Sequence, residues 1–292
     1  MECGIATNDA DSISRASQLI VASVNRARAA IAKHSNITGE SNTNATKTCI
    51  AGCIPPLTEC YFSNLVPSSI ERLVSDYTVI LSTLLNCNVD ILLAETLSTT
   101  REAQAILRSL HNIIADQSMT EKLDLPPLWM SLTIHDDDPS KLRSDELLET
   151  ACATIIEEAT YLNLPLEAIG INCSSPKAIS MAVPMLTKLV EGTNIKVCAY
   201  GNCFQTTTSE WINSLGNEAN ASAGTSTAEQ QVNVLDSSTE DYDDAGYLIP
   251  EVYAKFAIEW AQSGAQIIGG CCGSRPIHME KVASALKDYQ QD

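Results

Sequence analysis

The 292-residue chain is short of positive charge: 18 Lys and Arg stand against 36 Asp and Glu, a net charge of −18. So acidic a surface argues against non-specific binding of nucleic acid or of anionic membrane. No apolar run approaches the roughly 20 residues of a membrane-spanning helix. Residues 1–14 have neither the basic start nor the apolar core of a secretory signal, and a cytoplasmic location is the resulting expectation. No G-x-G-x-x-G follows any apolar run, so a dinucleotide-binding fold has no support. No C-x-x-C occurs either, so local spacing marks none of the eleven cysteines as a metal ligand.

What is present suits one large α/β domain. Apolar residues make up 45% and charged residues 18%, enough to bury a sizeable core. The length is that of a single α/β barrel. An odd number of cysteines without a secretory signal points to free thiols or metal ligands rather than disulfides. Cys87, Cys152 and Cys198 sit alone in apolar stretches, as small hydrophobic residues do.

Hydrophobic spacing predicts helices over 11–34, from the N-cap Ser69, and over 99–116, 145–161, 176–191, 250–263 and 278–288. Short apolar runs predict strands at 49–51, 90–94, 128–133, 168–172, 195–200 and 266–269. Six strands alternating with seven helices indicate a parallel sheet covered on both faces. An open doubly wound sheet fits this count, and so does a (β/α)8 barrel without its first strand–helix–strand. Residues 35–48 read as a polar loop. Residues 205–246, rich in Ser, Thr, Asn, Asp and Glu, read as a disordered acidic insertion.

Three chemically promising spots fall at the C-terminal ends of predicted strands, where parallel α/β folds build active sites. They are Glu95, the pair Asn172-Cys173, and Gly269-Gly270-Cys271-Cys272-Gly273. Adjacent residues on a strand face opposite ways. Cys271 and Cys272 can meet one ligand only where the backbone turns, and the flanking glycines permit such a turn. Joined by Cys173, they would offer three thiolates and leave a fourth tetrahedral position open, the pattern of a catalytic zinc. Spacing alone equally allows three buried core thiols; a redox dithiol at Cys271 and Cys272 is a lesser alternative, because a vicinal disulfide is strained. His135, Asp137 and Asp138 read as solvated loop residues.

Gly170-Ile171-Asn172-Cys173-Ser174-Ser175-Pro176 and Ile267-Ile268-Gly269-Gly270-Cys271-Cys272-Gly273 resemble the two zinc motifs of the homocysteine S-methyltransferase family. Further stretches resemble it in the same order. They are Ala51-Gly52-Cys53-Ile54-Pro55-Pro56-Leu57, residues 90–103, Trp129-Met130-Ser131-Leu132-Thr133 and Tyr200-Gly201-Asn202. The resemblance runs from about residue 11 to 288, interrupted by the insertion.

The resemblance implies a (β/α)8 barrel and a zinc ion held by Cys173, Cys271 and Cys272. It implies homocysteine as methyl acceptor and a sulfonium donor, S-methylmethionine or S-adenosylmethionine. It casts Glu95 as the group that holds the amine of homocysteine, with Asn172 and Ser131 as further substrate contacts. No catalytic group beyond the metal site is implied. The family opens with a strand carrying Asp-Gly-Gly, and this sequence has none before residue 50. The expectation is therefore one barrel domain over 1–292 with about six strands, whose open edges invite a partner or self-association. A rival expectation is a non-catalytic relative that binds zinc or homocysteine, or serves as an interaction subunit.

Overall fold

The computed structural model describes residues 10–38, 48–116, 125–207, 210 and 239–289. Six strands and seven α-helices lie among the described residues. The strands are β1 (Ala51–Ile54), β2 (Ile91–Leu97), β3 (Leu128–Leu132), β4 (Leu166–Asn172), β5 (Lys196–Tyr200) and β6 (Ile267–Ile268). They form one parallel sheet in the order β1-β2-β3-β4-β5-β6. A doubly wound sheet reverses its strand order at a switch point. This sheet has no reversal, so its order is that of consecutive βα units in a barrel.

The helices are α1 (Ala10–Thr38), α2 (Ile70–Asn86), α3 (Thr100–Ala115), α4 (Leu148–Tyr161), α5 (Pro176–Leu189), α6 (Pro250–Gln262) and α7 (Pro276–Tyr289). Their starts follow from the sequence. Ser69 accepts from the backbone N–H of Arg72 at α2, and Ser175 accepts from that of Ala178 at α5, with Pro176 next. Thr99 and Glu102 close a reciprocal capping box at α3.

Several expected boundaries shift: α1 runs on to Thr38, into the expected 35–48 loop, β2 runs on to Leu97, past Glu95, and three further shifts have a local cause. β1 begins at Ala51 rather than Cys49 and carries Cys53 inside the ladder, opposite Leu93. Pro55 and Pro56 then end it, because proline has no N–H for the ladder. α4 begins at Leu148, because Leu142 and Leu147 form bridges with Ile134 and Lys141. α7 begins at Pro276, whose fixed φ suits a first turn.

The chain divides into two compact units, Met1–Ser131 with Ala151–Ala168, and Leu132–Thr150 with Ile169–Asp292. In the first, α2 packs on α1, on α3 and on β1. Leu73, Tyr77, Leu81 and Leu84 of α2, Leu92 and Leu97 of β2, and Ile106, Leu107 and Leu110 of α3 are almost fully buried. Of the predicted apolar face of α1, only Val24 is buried; Ile13, Ala16, Ile20, Ala27 and Ile31 are half-covered. Arg28 ties α1 to the end of α2 by donating to the carbonyls of Cys87 and Asn88.

In the second unit, α6 packs on α5 and α7. Trp260 of α6 is fully buried and donates to Ser180 Oγ at 3.0 Å. β4 and β5 lie so close that a Cβ on Gly170 would stand 1.9 Å from the Cys198 carbonyl oxygen, which only glycine avoids. Of the expected 205–246 insertion, the start and end are described. Around them Phe204 bridges Tyr247 and Tyr242 bridges Leu248, both antiparallel. The centre of that segment, residues 39–47 of the expected 35–48 loop, and Cys3 lie outside the described residues.

Candidate metal and substrate site

β4 ends on Asn172, and the chain leaves it through Cys173, whose φ of 52° lies in the left-handed region. Such a conformation costs a non-glycine residue on the order of 1 kcal/mol or more. The turn directs the Cys173 sulfur toward the loop after β6. There Gly273 has a φ of +77°, and a Cβ on Gly270 would meet Met279 Cε and Ser274 Oγ at 2.6 Å. Backbone bonds fix that loop: Cys271 N–H donates to the Gly201 carbonyl at 3.0 Å, and Cys203 N–H to the Cys272 carbonyl at 2.8 Å. The buried Tyr253 hydroxyl accepts from Gly201 N–H at 2.9 Å and stands 2.9 Å from the Gly269 carbonyl, joining the ends of β5 and β6.

These turns bring three sulfurs together. Cys173 Sγ lies 3.6 Å from Cys272 Sγ, and Cys271 Sγ lies 3.9 Å from Cys272 Sγ. All three fall within 4.8 Å of one another. Zinc–sulfur bonds of about 2.3 Å in a tetrahedron set sulfurs about 3.8 Å apart. The three thiols therefore fit a zinc ion with little movement, and their spacing is not that of a disulfide. Asn172 Nδ2 donates to Cys271 Sγ at 3.8 Å. The Cys271 thiol is held above its ordinary pKa: the bond with Cys173 favours its thiolate, but the bond with Cys272 and burial outweigh it. Cys203 is fully buried nearby, and burial, then the charge of Cys271, push its thiol up to about 12. Among the described residues it is not one of the sulfurs that gather within 4.8 Å of one another.

The loop after β3 closes over the Cys173 turn. Thr133 Oγ1 donates to the Cys173 carbonyl at 3.3 Å, and Ile134 N–H to Ser174 Oγ at 3.1 Å. Asp136 Oδ1 accepts from Ser175 N–H at 2.7 Å, and Arg143 Nη2 donates to Asp136 Oδ2 at 3.1 Å. Nothing in the sequence marked Asp136 or Arg143, since neither follows a strand directly nor belongs to a spaced motif. Of their neighbours, Asp137 is exposed as expected. Asp138 pairs with Lys141 at 3.0 Å, and His135 with Asp145 at 3.4 Å.

Glu95 lies inside β2 in the first unit, half-buried, and the residue after it, Thr96, has a φ of 63°. Cys53 of β1 directs its thiol to Glu95 Oε2 at 3.7 Å. Ser131 is fully buried at the end of β3, in the same unit.

A family profile for homocysteine S-methyltransferase matches residues 4–286. The chain belongs to the homocysteine S-methyltransferase family. It is similar to homocysteine S-methyltransferase 3 of Arabidopsis thaliana, 25% identical over 68% of this chain and 44% of that protein. It is also similar to homocysteine S-methyltransferase YbgG of Bacillus subtilis, 24% identical over 73% of this chain and 52% of that protein. The chain thus spans about half the length of these curated relatives. Among solved structures, the apo form of the homocysteine methyltransferase MmuM from Escherichia coli aligns with a TM-score of 0.60 at 19% identity. That alignment covers 94% of this chain and 74% of MmuM. The metallated form of MmuM aligns with a TM-score of 0.61 at 18% identity, over 93% of this chain and 72% of that one. These structures share the fold.

Proposed function

We propose that this protein transfers a methyl group from a sulfonium donor to the sulfur of homocysteine, giving methionine. The reading rests above all on one observation: the cysteines of the two family motifs, far apart in sequence, lie within 4.8 Å of one another. Cys173, Cys271 and Cys272 would hold zinc and leave one tetrahedral position for the substrate thiol. Zinc, when bound, lowers the pKa of a coordinated thiol and so supplies a nucleophilic sulfur at neutral pH.

The rest of the work falls to the chain. The homocysteine thiol gives its proton to solvent. Its sulfur forms a bond to the donor methyl carbon as the bond from that carbon to the sulfonium sulfur breaks. The donor leaves as a neutral thioether, so no general acid is needed. S-methylmethionine or S-adenosylmethionine supplies the methyl. Glu95 holds the substrate ammonium as counter-charge, and Asn172 and Ser131 are further substrate contacts. Asn172 also steadies Cys271 through its amide. The chemistry needs reduced cysteines, which suits a reducing compartment such as the cytoplasm. Among the described residues no helix is long and apolar enough to cross a membrane.

The test is methionine formation from homocysteine with each donor in turn, on protein purified under reduction and assayed for zinc. Zinc-dependent turnover supports the reading. Zinc binding without turnover on either donor leaves a metal-binding relative and sinks the enzyme.

A further inference from the structure

A charged pair lies buried next to the cysteine cluster and has no place in the methyl transfer. The side chains of Arg143 and Asp136 are only 1% and 2% exposed. Burying an ion pair costs desolvation energy, which its own attraction seldom exceeds. Such a pair is best explained by what it holds in place. Here each end of the pair leads to Cys173. Asp136 receives Ser175 N–H at 2.7 Å, two residues beyond Cys173. Arg143 donates its backbone N–H to the Thr133 carbonyl at 3.3 Å, and the Thr133 hydroxyl donates to the Cys173 carbonyl, also at 3.3 Å. Ser174, between them, is fully buried and accepts from Ile134 N–H at 3.1 Å. The turn held from both sides is the one that puts Cys173 at a φ of 52°. Relaxation of that residue to a right-handed or extended conformation would swing its sulfur away from Cys271 and Cys272.

We infer that the Asp136–Arg143 pair is a positioning device for the metal site: it locks the strained Cys173 turn so that three sulfurs stand ready before metal arrives. The inference rests on the zinc reading of the cysteine cluster. Outer groups that orient metal ligands typically contribute about ten- to a hundredfold in metal affinity. Asp136 acts with its carboxylate on the Ser175 N–H, and Arg143 holds that carboxylate with its guanidinium, so neither needs to touch the metal or the substrate.

The experiment measures zinc affinity by competition with a chromophoric chelator, on the full chain in its reduced state. Variants are Asp136→Ala, Arg143→Met and the double substitution, each followed by thermal unfolding of the zinc-free form. The expected result is a loss of zinc affinity of about ten- to a hundredfold in each single variant. The double variant should be no weaker than the worse single one, because the two residues act as one unit. Should Asp136→Ala not fold, Asp136→Asn keeps the volume and an acceptor oxygen while losing the charge. Thr133→Val removes the hydroxyl on the other arm and should weaken zinc in the same direction. Folded variants that bind zinc like the unmodified chain, with only a lower melting temperature, would overturn the inference and leave the pair a stability element. An unmodified chain that binds no zinc would instead overturn the zinc reading itself, and the inference with it.

Discussion

Two strand ends solve the same problem with different materials. Near the ends of β2 and β4 a non-glycine residue takes a left-handed conformation: Thr96 at 63°, one residue before β2 ends, and Cys173 at 52°, just after β4. Each is then followed by a capped helix, with Thr99 at α3 and Ser175 at α5. The surroundings differ. Cys173 is buried under the loop after β3, with the Asp136–Arg143 pair behind it. Glu95 stays half-buried and is met by the thiol of Cys53. On the zinc reading proposed above, the Cys173 turn would carry a metal ligand, and a metal ion tolerates little error in the placement of its ligands. Glu95, proposed to hold the substrate ammonium, would need less exact placement, because a carboxylate can hold an ammonium group over a range of geometries. Strain at both ends is the expense of aiming a side chain out of a strand.

The largest effect that could break this comparison is loss of metal. Cys173→Ala, Cys271→Ala or Cys272→Ala should each remove most of the zinc from a chain that otherwise carries about one ion. Elemental analysis of reduced protein reads this directly. Loss confined to one of the three variants would show that the cysteines do not act as a set.

Next in size is Glu95→Gln. Charge-assisted hydrogen bonds contribute roughly 1.5–3 kcal/mol. The KM for homocysteine should therefore rise about ten- to a hundredfold, with zinc content unchanged. A fall in zinc content would mean that the β2 end serves the metal site, and the contrast between the two ends would disappear.

Cys53→Ala should have a smaller effect of the same kind, about two- to tenfold in KM for homocysteine with kcat preserved. Cys53→Ser, which keeps a donor to the carboxylate, should restore much of it. Equal behaviour of the alanine and serine variants would remove Cys53 from the account.

The smallest effect concerns the helix that follows β2. Glu102 is buried and accepts hydrogen bonds from Ser98 and Thr99, yet burial outweighs them and holds its carboxyl above the ordinary 4.5. The folded state binds this proton more tightly than the unfolded chain does. Its contribution to stability is thus complete below about pH 4.5 and is lost as the pH rises through the folded value. Glu102→Gln carries no charge at any pH and should flatten that decline, while its amide oxygen keeps an acceptor at the N3 position of the capping box. Denaturant titrations of both proteins across this range, compared by difference, would show it. A decline of equal slope in the variant would assign the titration elsewhere.

Much of the architecture was legible before any coordinates. Apolar spacing, Ser69, the Thr99–Glu102 box and the Pro176 and Pro250 starts are local signals, set by a few neighbouring residues and the helical repeat. They placed all seven described helices and all six strands to within a few residues. Errors arose where a tertiary bond competed with local preference, as at residues 142–147, whose bridges delay α4. The candidate metal ligands were readable only through their motifs, because Cys173 and Cys272 are 99 residues apart and no spacing rule connects them.

The sequence by itself determined the α/β alternation, the acidic surface, the helix starts and which side chains could bind a soft metal. Those follow from composition and from interactions within a turn or two of the chain. Only the tertiary structure decided that three sulfurs converge, that Asn172 lies against Cys271, and that Cys203 is a buried thiol. It also decided that Asp136, rather than Asp137 or Asp138, accepts from Ser175 N–H beside the Cys173 turn. Each of these depends on where separate strands end in space, and a buried charge reveals its purpose only once the backbone it holds is in view.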